Sequence, residues 1–339
     1  MAKKIFFGNY KGGVGKTTST FQIALELYEK HGASVLLLDL DPQSSLSGVC
    51  MARLNNKNNC EKKLDDEIQL QYKDKYGVER PKRKLSFKTL NYIYALYMQA
   101  KRMNNIKFTL KPDEIIQSIE KKPSQTKEKD IKFDFIPNSL FSEYGGLDKI
   151  SIEVGKSVEN LLILRDFIED NELNDKYDYI FFDCPPSNNI ITQSAFLYCD
   201  YYIIPTIMDE LSVKGVAHYI SVIEGIYDEY CVNHDHADVL SLLFGNKPRL
   251  IGIFETMRKA RTDTTEAQTQ LKTVFQKEEN EYQAFIFESE IKDINAIAGE
   301  TGKGNKFTGD GHSDWIKSGD KVGYGPVTKE MLERLKNLE

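Results

Sequence analysis

The sequence predicts a doubly wound α/β fold, a mostly parallel sheet flanked by helices. Three observations carry that expectation. The apolar runs are continuous rather than alternating, as in strands buried on both faces of a parallel sheet. Patterns of helical period separate them along most of the chain. The first two runs bracket one helical pattern within about forty residues, the spacing of a βαβ unit.

In order, Ile5 to Gly8 is a short apolar run ending in a Gly-rich turn. Lys16 to His31 follows with Phe21, Ala24, Leu25 and Tyr28 near one face, and Gly32 stands where a glycine commonly ends a helix. Val35 to Leu38 is the second strand, closed by Asp39. The pattern resumes with strands at Phe133–Pro137, Tyr179–Asp183, Tyr201–Pro205, Leu250–Phe254 and Phe285–Phe287. Helices are expected over Val158–Ile168, Val213–Tyr227, Thr265–Phe275 and Thr328–Leu338. The tail from Gly299 to Gly325, rich in Gly, Lys and Asp, reads as an irregular loop.

The chain has 339 residues, 40% hydrophobic and 28% charged, which suits a globular protein with one large core. We read residues 1–339 as a single domain and 53–135 as an insertion after the second strand. That stretch holds 20 Lys and Arg against 12 Asp and Glu, a net of +8, whereas the remainder has 25 against 39, a net of −14. Leu85–Met103 within it predicts an amphipathic helix, and 54–84 and 119–130 read as solvated loops. The overall charge of −6 excludes a general polycation, so nucleic-acid binding requires a local basic patch. Five scattered cysteines without a CxxC pair argue against disulfide staples or a zinc site and for a reducing interior. The Ile5-Phe6-Phe7 run is too short for a signal peptide, and no apolar stretch approaches the roughly 18 residues of a membrane span. A cytoplasmic protein is expected.

The first candidate site is Gly8-Asn9-Tyr10-Lys11-Gly12-Gly13-Val14-Gly15-Lys16-Thr17-Thr18, between the first strand and first helix. Glycines let backbone N–H groups turn toward phosphate oxygens, and a helix N-terminus adds partial positive charge. Lys16 is placed to reach β- and γ-phosphates, and the Thr17 hydroxyl to ligate Mg²⁺. Tyr10 departs from the standard motif, which has glycine there.

Two acidic motifs accompany the loop. In Leu38-Asp39-Leu40-Asp41-Pro42-Gln43 the carboxylates alternate, which puts both on one side of an extended chain. In Tyr179-Ile180-Phe181-Phe182-Asp183-Cys184-Pro185-Pro186-Ser187 an acid ends an apolar strand, the Walker B arrangement, and Asp183 is expected to bind Mg²⁺ through water beside Thr17. Cys184 reads as a small buried residue, since no His stands near it in sequence.

KGGVGKTT resembles the deviant Walker A motif of the ParA/MinD family of P-loop ATPases, a P-loop NTPase fold. DPQ after the second strand, Pro-Pro-Ser after Asp183, Asp209 to Gly215, and Ile251 to Met257 followed by Arg261-Thr262 are similar to later family segments, the last favouring the ParA branch. The resemblance implies binding of ATP and Mg²⁺ and slow hydrolysis of ATP to ADP and phosphate. It implies that Lys11 crosses a homodimer interface to the partner's ATP, that Asp41 positions or activates the attacking water, and that Asp39 lies near the Mg²⁺ shell. Lys11, Lys16 and Asp41 are therefore the candidate catalytic residues. ATP is expected on Lys11 to Thr18, including Val14 and Thr18, with adenine near Pro205 and Met257; the metal is expected on Thr17, Asp39 and Asp183.

ParA-type partition ATPases segregate plasmids or chromosomes as ATP-bound dimers on non-specific DNA. A centromere-binding, ParB-like protein stimulates hydrolysis. The resemblance implies that role here, nucleoid-associated. The start so close to the P-loop implies no N-terminal DNA-binding extension. DNA candidates are Lys247, Arg249, Lys277 and Lys292, with Lys303 and Lys306 in the tail. Lys82-Arg83-Lys84, Lys101-Arg102 and Lys121-Lys122 of the insertion offer another basic surface, for DNA or for a partner. Other readings are a positioning ATPase for a non-DNA cargo, a membrane-positioning ATPase like MinD, and a P-loop metabolic enzyme. The short, mixed-charge Thr328–Lys336 segment speaks against the membrane.

Overall fold

A computed structural model describes residues 1–59, 67–73, 79–85, 89–103, 106, 108, 110, 112–124, 130–258, 266, 267, 269, 271, 286–292, 295–307 and 323–339. Eight strands form one sheet: β1 (Lys3–Phe7), β2 (Val35–Asp39), β5 (Gln117–Lys122), β6 (Ile131–Ile136), β7 (Tyr179–Asp183), β8 (Tyr201–Thr206), β9 (Arg249–Arg258) and β10 (Ile286–Lys292). Their order is β10-β9-β8-β1-β7-β2-β6-β5. All neighbours run parallel except β5, which pairs antiparallel with β6. Separately, β3 (Glu67–Lys73) and β4 (Glu79–Leu85) make a two-stranded antiparallel ribbon.

Apart from the half-buried Lys3, the central strands are buried, as their continuous apolar runs require: IFF ends β1, VLLLD forms β2 and YIFFD forms β7. Successive residues feed opposite layers. Phe6, Leu36, Leu38, Ile180 and Phe182 face the layer built by α3 (Leu90–Arg102), α4 (Leu147–Val154), α5 (Ile163–Asp170), α6 (Leu173–Lys176), α7 (Ile190–Tyr198), α8 (Glu210–Cys231) and α9 (Ala237–Phe244). Ile5, Phe7, Val35, Leu37 and Phe181 face α1 (Lys16–His31), α2 (Ser45–Asn58), α10 (Asn295–Gly302) and α11 (Tyr324–Leu338). Gly32 closes α1 in the left-handed region, its N–H on Leu27 O.

Several expectations change. The 53–135 stretch begins inside α2 and ends inside β6. Within the segment read as loop from 54 to 84, α2 continues to Asn58 and the β3–β4 ribbon follows. Of the 119–130 loop, residues 125–129 lie outside the described set, and residues 119–122 belong instead to β5. Its polar sequence QSIEKK has one paired side, which relaxes the need for a continuous apolar run. Arg53, the first residue of the stretch, is 4% exposed and bridges Glu29 (2.8 Å) and Glu120 (2.5 Å). The amphipathic helix starts at Leu90, five residues later than expected. Val158–Ile168 divides into a 3-10 turn over Val158–Leu162 and then α5. The irregular tail is helical at both ends: α10 runs to Gly302 and α11 starts at Tyr324, with 308–322 outside the described residues. Of Thr265–Phe275, Glu266, Ala267, Thr269 and Leu271 are described and helical.

Candidate nucleotide site

The site grows from the C-terminal ends of β1, β2 and β7. Gly8 leaves β1 where a Cβ would collide with the Tyr219 hydroxyl and the Phe6 ring. Asn9, 3% exposed, then pins the loop: its Nδ2 donates to Pro205 O (2.9 Å) and its Oδ1 accepts the Lys11 N–H (2.9 Å). Tyr10, at the position of the missing glycine, packs edge-on against Tyr219 with centroids 4.7 Å apart. Gly13 and Gly15 take φ of 72° and 77°, the left-handed region that favours glycine, and Gly15 opens α1.

Around this loop the predicted polar residues converge. The Thr17 hydroxyl donates to Asp183 Oδ2 (2.7 Å), and Thr20, one turn on, donates to Asp183 Oδ1 (3.1 Å). Lys16, 7% exposed, donates to Lys11 O (3.0 Å). Burial holds its ammonium below the usual lysine range, against the pull of Asp183 and Asp41. Asp39 and Asp183 are register partners at the ends of neighbouring strands, each 1% exposed. Burial, then the Asp183 charge, raises Asp39 to about 8; burial is also the main cause that raises Asp183 to about 7. Ser47 holds Asp39 Oδ2 through its N–H and hydroxyl, both at 2.7 Å. Asp41 points its Oδ1 at the Gln43 N–H (2.9 Å).

These elements border a cleft of about 540 Å³, lined by Gly12, Gly13, Gly15 to Thr18, the Asp41–Gln43 turn, Ser45, Pro185 to Ser187 and Met257. Met257 enters it at φ 55°, a left-handed conformation uncommon for a side-chain-bearing residue. Val14 is fully buried and turns its carbonyl to the Thr256 hydroxyl (2.8 Å). Pro205, expected near adenine, does not line the cleft: it is buried in β8 as the acceptor for Asn9. Lys11 reaches Asp209 and Ser212 of its own chain, both at 2.8 Å. Cys184 is buried and free, and burial pushes its thiol well up, in keeping with a packing role.

Sequence reading missed Asn9, Thr20, Ser47, Asn138 and Thr256. Thr20 alone had a local signal, its three-residue spacing from Thr17 on α1. Among the described residues, the expected DNA residues do not form a free row. Lys247 pairs with Asp228 (3.3 Å), and Arg249 holds Leu338 O and the Tyr201 hydroxyl (3.1 Å). Lys292 ends β10 with an interaction inside the chain, and Lys277 lies outside the described residues. Lys303 pairs with Glu300, and Lys306 with Glu26 and Glu29. In the insertion, Lys101 pairs with Asp166, Arg102 with Glu153, Lys121 with Asp130, and Lys122 donates to Tyr28 O.

A family model described as an AAA domain matches residues 2–236. A virulence plasmid ParA family protein of Chlamydia psittaci is 27% identical over 71% of this chain and 68% of its own length. The chromosome partitioning protein ParA of Caulobacter vibrioides is 26% identical over 64% of this chain and 61% of its own. The chain thus spans about two thirds of the length of the curated relatives it matches. Among solved structures, the Cyanothece McdA–ATP complex superposes with a TM-score of 0.62 at 18% identity, covering 99% of this chain and 96% of that one. A putative plasmid partition protein of Borrelia burgdorferi bound to AMPPNP gives 0.54 at 19% identity, with both chains fully covered. With the loop, the two acids and the sheet order in place, these matches assign the chain to the ParA/MinD-like family of P-loop proteins.

Proposed function

We propose that this chain is a partition ATPase of plasmids or chromosomes, a single nucleotide-binding unit over residues 1–339. ATP occupies the cleft, two chains close into a sandwich dimer, and the dimer holds DNA non-specifically. Hydrolysis, stimulated by a ParB-like centromere-binding partner, releases it in a nucleoid-associated cytoplasmic cycle. The observation that carries the reading is the Thr17–Asp183 hydrogen bond beside Lys16, which gathers hydroxyl, carboxylate and ammonium in one cleft. Partition proteins among the relatives, and ATP or AMPPNP in the fold neighbours, support it.

In this reading the N–H groups from Gly12 to Thr18 and the Lys16 ammonium bind the phosphates, and Lys11 reaches the partner's nucleotide. Mg²⁺ fits the residues present: Asp39 and Asp183 are buried side by side with raised pKa values, which a divalent cation would relieve. Thr17 and Asp183 would hold it, with Asp39 beside them, and when bound it neutralises charge developing on phosphate oxygens. Asp41, at the cleft wall, orients the attacking water.

Of the two basic surfaces that the sequence offers for DNA, the C-terminal one is engaged within the chain at Lys247, Arg249, Lys303 and Lys306, which favours the insertion. We assign DNA binding to the β3–β4 ribbon, whose span 67–85 holds six Lys or Arg against three Asp or Glu. The same engaged cations favour, as a second reading, a positioning ATPase with a non-DNA cargo. Membrane positioning fits less well, because α11 buries Tyr324, Val327, Met331 and Leu335 in the core. Among the described residues no helix is long and apolar enough to cross a membrane.

The test is DNA binding by wild type and Lys11→Ala, with ATP and with ADP, at two salt concentrations. ATP-dependent, salt-sensitive binding that Lys11→Ala abolishes supports partition. ATP-driven dimerisation without DNA binding in any nucleotide state moves the reading to the non-DNA cargo.

A further inference from the structure

The acidic loop after β2 is held from outside the nucleotide cleft. Asn138, two residues beyond β6 and fully buried, donates its carboxamide N–H to Asp41 O (2.6 Å) and its backbone N–H to Ser47 Oγ (2.8 Å). Ser47 in turn donates to Asp39, whose Oδ1 accepts the Asp41 N–H (3.2 Å). Asn138 therefore grips both ends of the turn that carries Asp41 while contributing nothing to the cleft lining. Its own Oδ1 is buried and finds no partner among the described residues.

The segment after Asn138 is fixed by the insertion. Asn91, fully buried in the first turn of α3, donates to Ser139 O (3.1 Å) and Gly145 O (2.8 Å) and accepts the Ser139 N–H (3.1 Å). The neighbouring Leu90 N–H donates to Pro137 O (2.9 Å). The start of α3 thus brackets Asn138 on both sides, at Pro137 and at Ser139. Hydrogen bonds tie Asn91 to Ser139, the Asn138–Ser139 peptide bond carries the link to Asn138, and hydrogen bonds continue from Asn138 through Ser47 to Asp39, with a branch to Asp41.

We propose that Asn138 is a positioning residue for Asp41, and that Asn91 makes this position depend on how α3 is seated, so that the insertion governs the hydrolytic step. The inference rests on reading the cleft as an ATP-hydrolysing site in which Asp41 orients water. Asn138 holds the turn without lining the cleft. Its loss therefore displaces Asp41 while leaving the nucleotide's own contacts intact. Displacement of a group that orients a reactant lowers turnover far more than binding.

The test uses the full chain in single-turnover ATP hydrolysis, with the affinity for a fluorescent ATP analogue in Mg²⁺ and the thermal midpoint measured alongside. Asn138→Ala is expected to lower the turnover rate by about tenfold or more while analogue affinity stays within about twofold. Asn91→Ala, which leaves Asn138 in place, is expected to show the same split with a smaller loss, and it keeps the test open if Asn138→Ala folds poorly. Unchanged turnover in both folded variants overturns the proposal. So does a loss of turnover and affinity together with a lowered midpoint, the signature of a scaffold residue. A wild type that binds the analogue but never hydrolyses ATP overturns the hydrolytic reading itself, and the relay with it.

Discussion

The Lys11 ammonium lies 2.8 Å from the Asp209 carboxylate of its own chain. Both side chains are partly exposed, at 43% and 44%. Burial pushes the Asp209 carboxyl up, but the Lys11 ammonium and the Ser212 groups outweigh it and hold the carboxyl below its ordinary value. A Lys11 that is to meet a partner's phosphate must first leave this acid. Asp209→Asn should therefore favour the ATP-bound dimer. An exposed pair is worth about 0.2–1 kcal/mol, so the gain is up to about fivefold per protomer. Sedimentation at fixed ATP checks it, and a weaker dimer would show that Asp209 aids assembly instead of competing with it.

Gly8→Ala should destabilise the chain by about 1–3 kcal/mol through overpacking at the end of β1. The added methyl would meet the Tyr219 hydroxyl and the Phe6 ring. Tyr219→Phe removes only the first obstacle, so the double variant should recover part of the loss. Denaturant midpoints of the four proteins measure it; full additivity of the two single effects would contradict a direct clash.

How much of this was legible follows from where the signals reside. β1, β2, β7 and β8 were readable because both faces of each are covered, so burial is written as an unbroken apolar run. Lys16, Thr17 and Asp183 were readable because each sits at a fixed offset from a strand end. Ser47 and Asn138 were not, since their roles arise only when β6 pairs with β2 and brings residues 91 positions apart together. The pairing of Arg53 was not legible because its acids, Glu29 and Glu120, are remote in sequence. The partners of Lys247 and Arg249 were hidden likewise: Asp228 comes from α8 and Leu338 from the last helix. The β3–β4 ribbon gave little signal because its strands are charged and, among the described residues, pair with each other alone.

The buried acids predict a pH dependence with a definite sign. Asp39 rises to about 8 and Asp183 to about 7 from an ordinary 3.8, so the folded chain binds protons that the unfolded chain releases. Their contribution is most favourable below about pH 4 and is lost as pH rises through 7 to 8. The nucleotide-free chain should melt at a higher temperature at about pH 5.5 than at about pH 8.5, apart from other titrations. Asp39→Asn should flatten that difference, and saturating Mg²⁺ with ATP should flatten it in the wild type. Calorimetry at the two pH values measures this; a slope unaltered by Asp39→Asn would assign the dependence to other groups.

The charge on the ribbon sets the last expectation. Span 67–85 has a net of +3, with Arg80, Lys82, Arg83 and Lys84 on one strand against Glu79. Even if every acid in the span paired locally, an excess of cations would remain. A two-stranded antiparallel ribbon also has a size that a DNA major groove admits. Replacing Lys82, Arg83 and Lys84 together by Ala should weaken DNA binding by the ATP-bound form. It should also reduce the slope of log affinity against log salt by about 2–3, close to one for each phosphate that is no longer neutralised. Lys247→Ala should change that slope little, because its ammonium already faces Asp228 and Glu224. The reverse pattern would return the DNA surface to the C-terminal half. An unchanged slope together with loss of partner-stimulated hydrolysis would make the ribbon a docking site for an acidic protein surface.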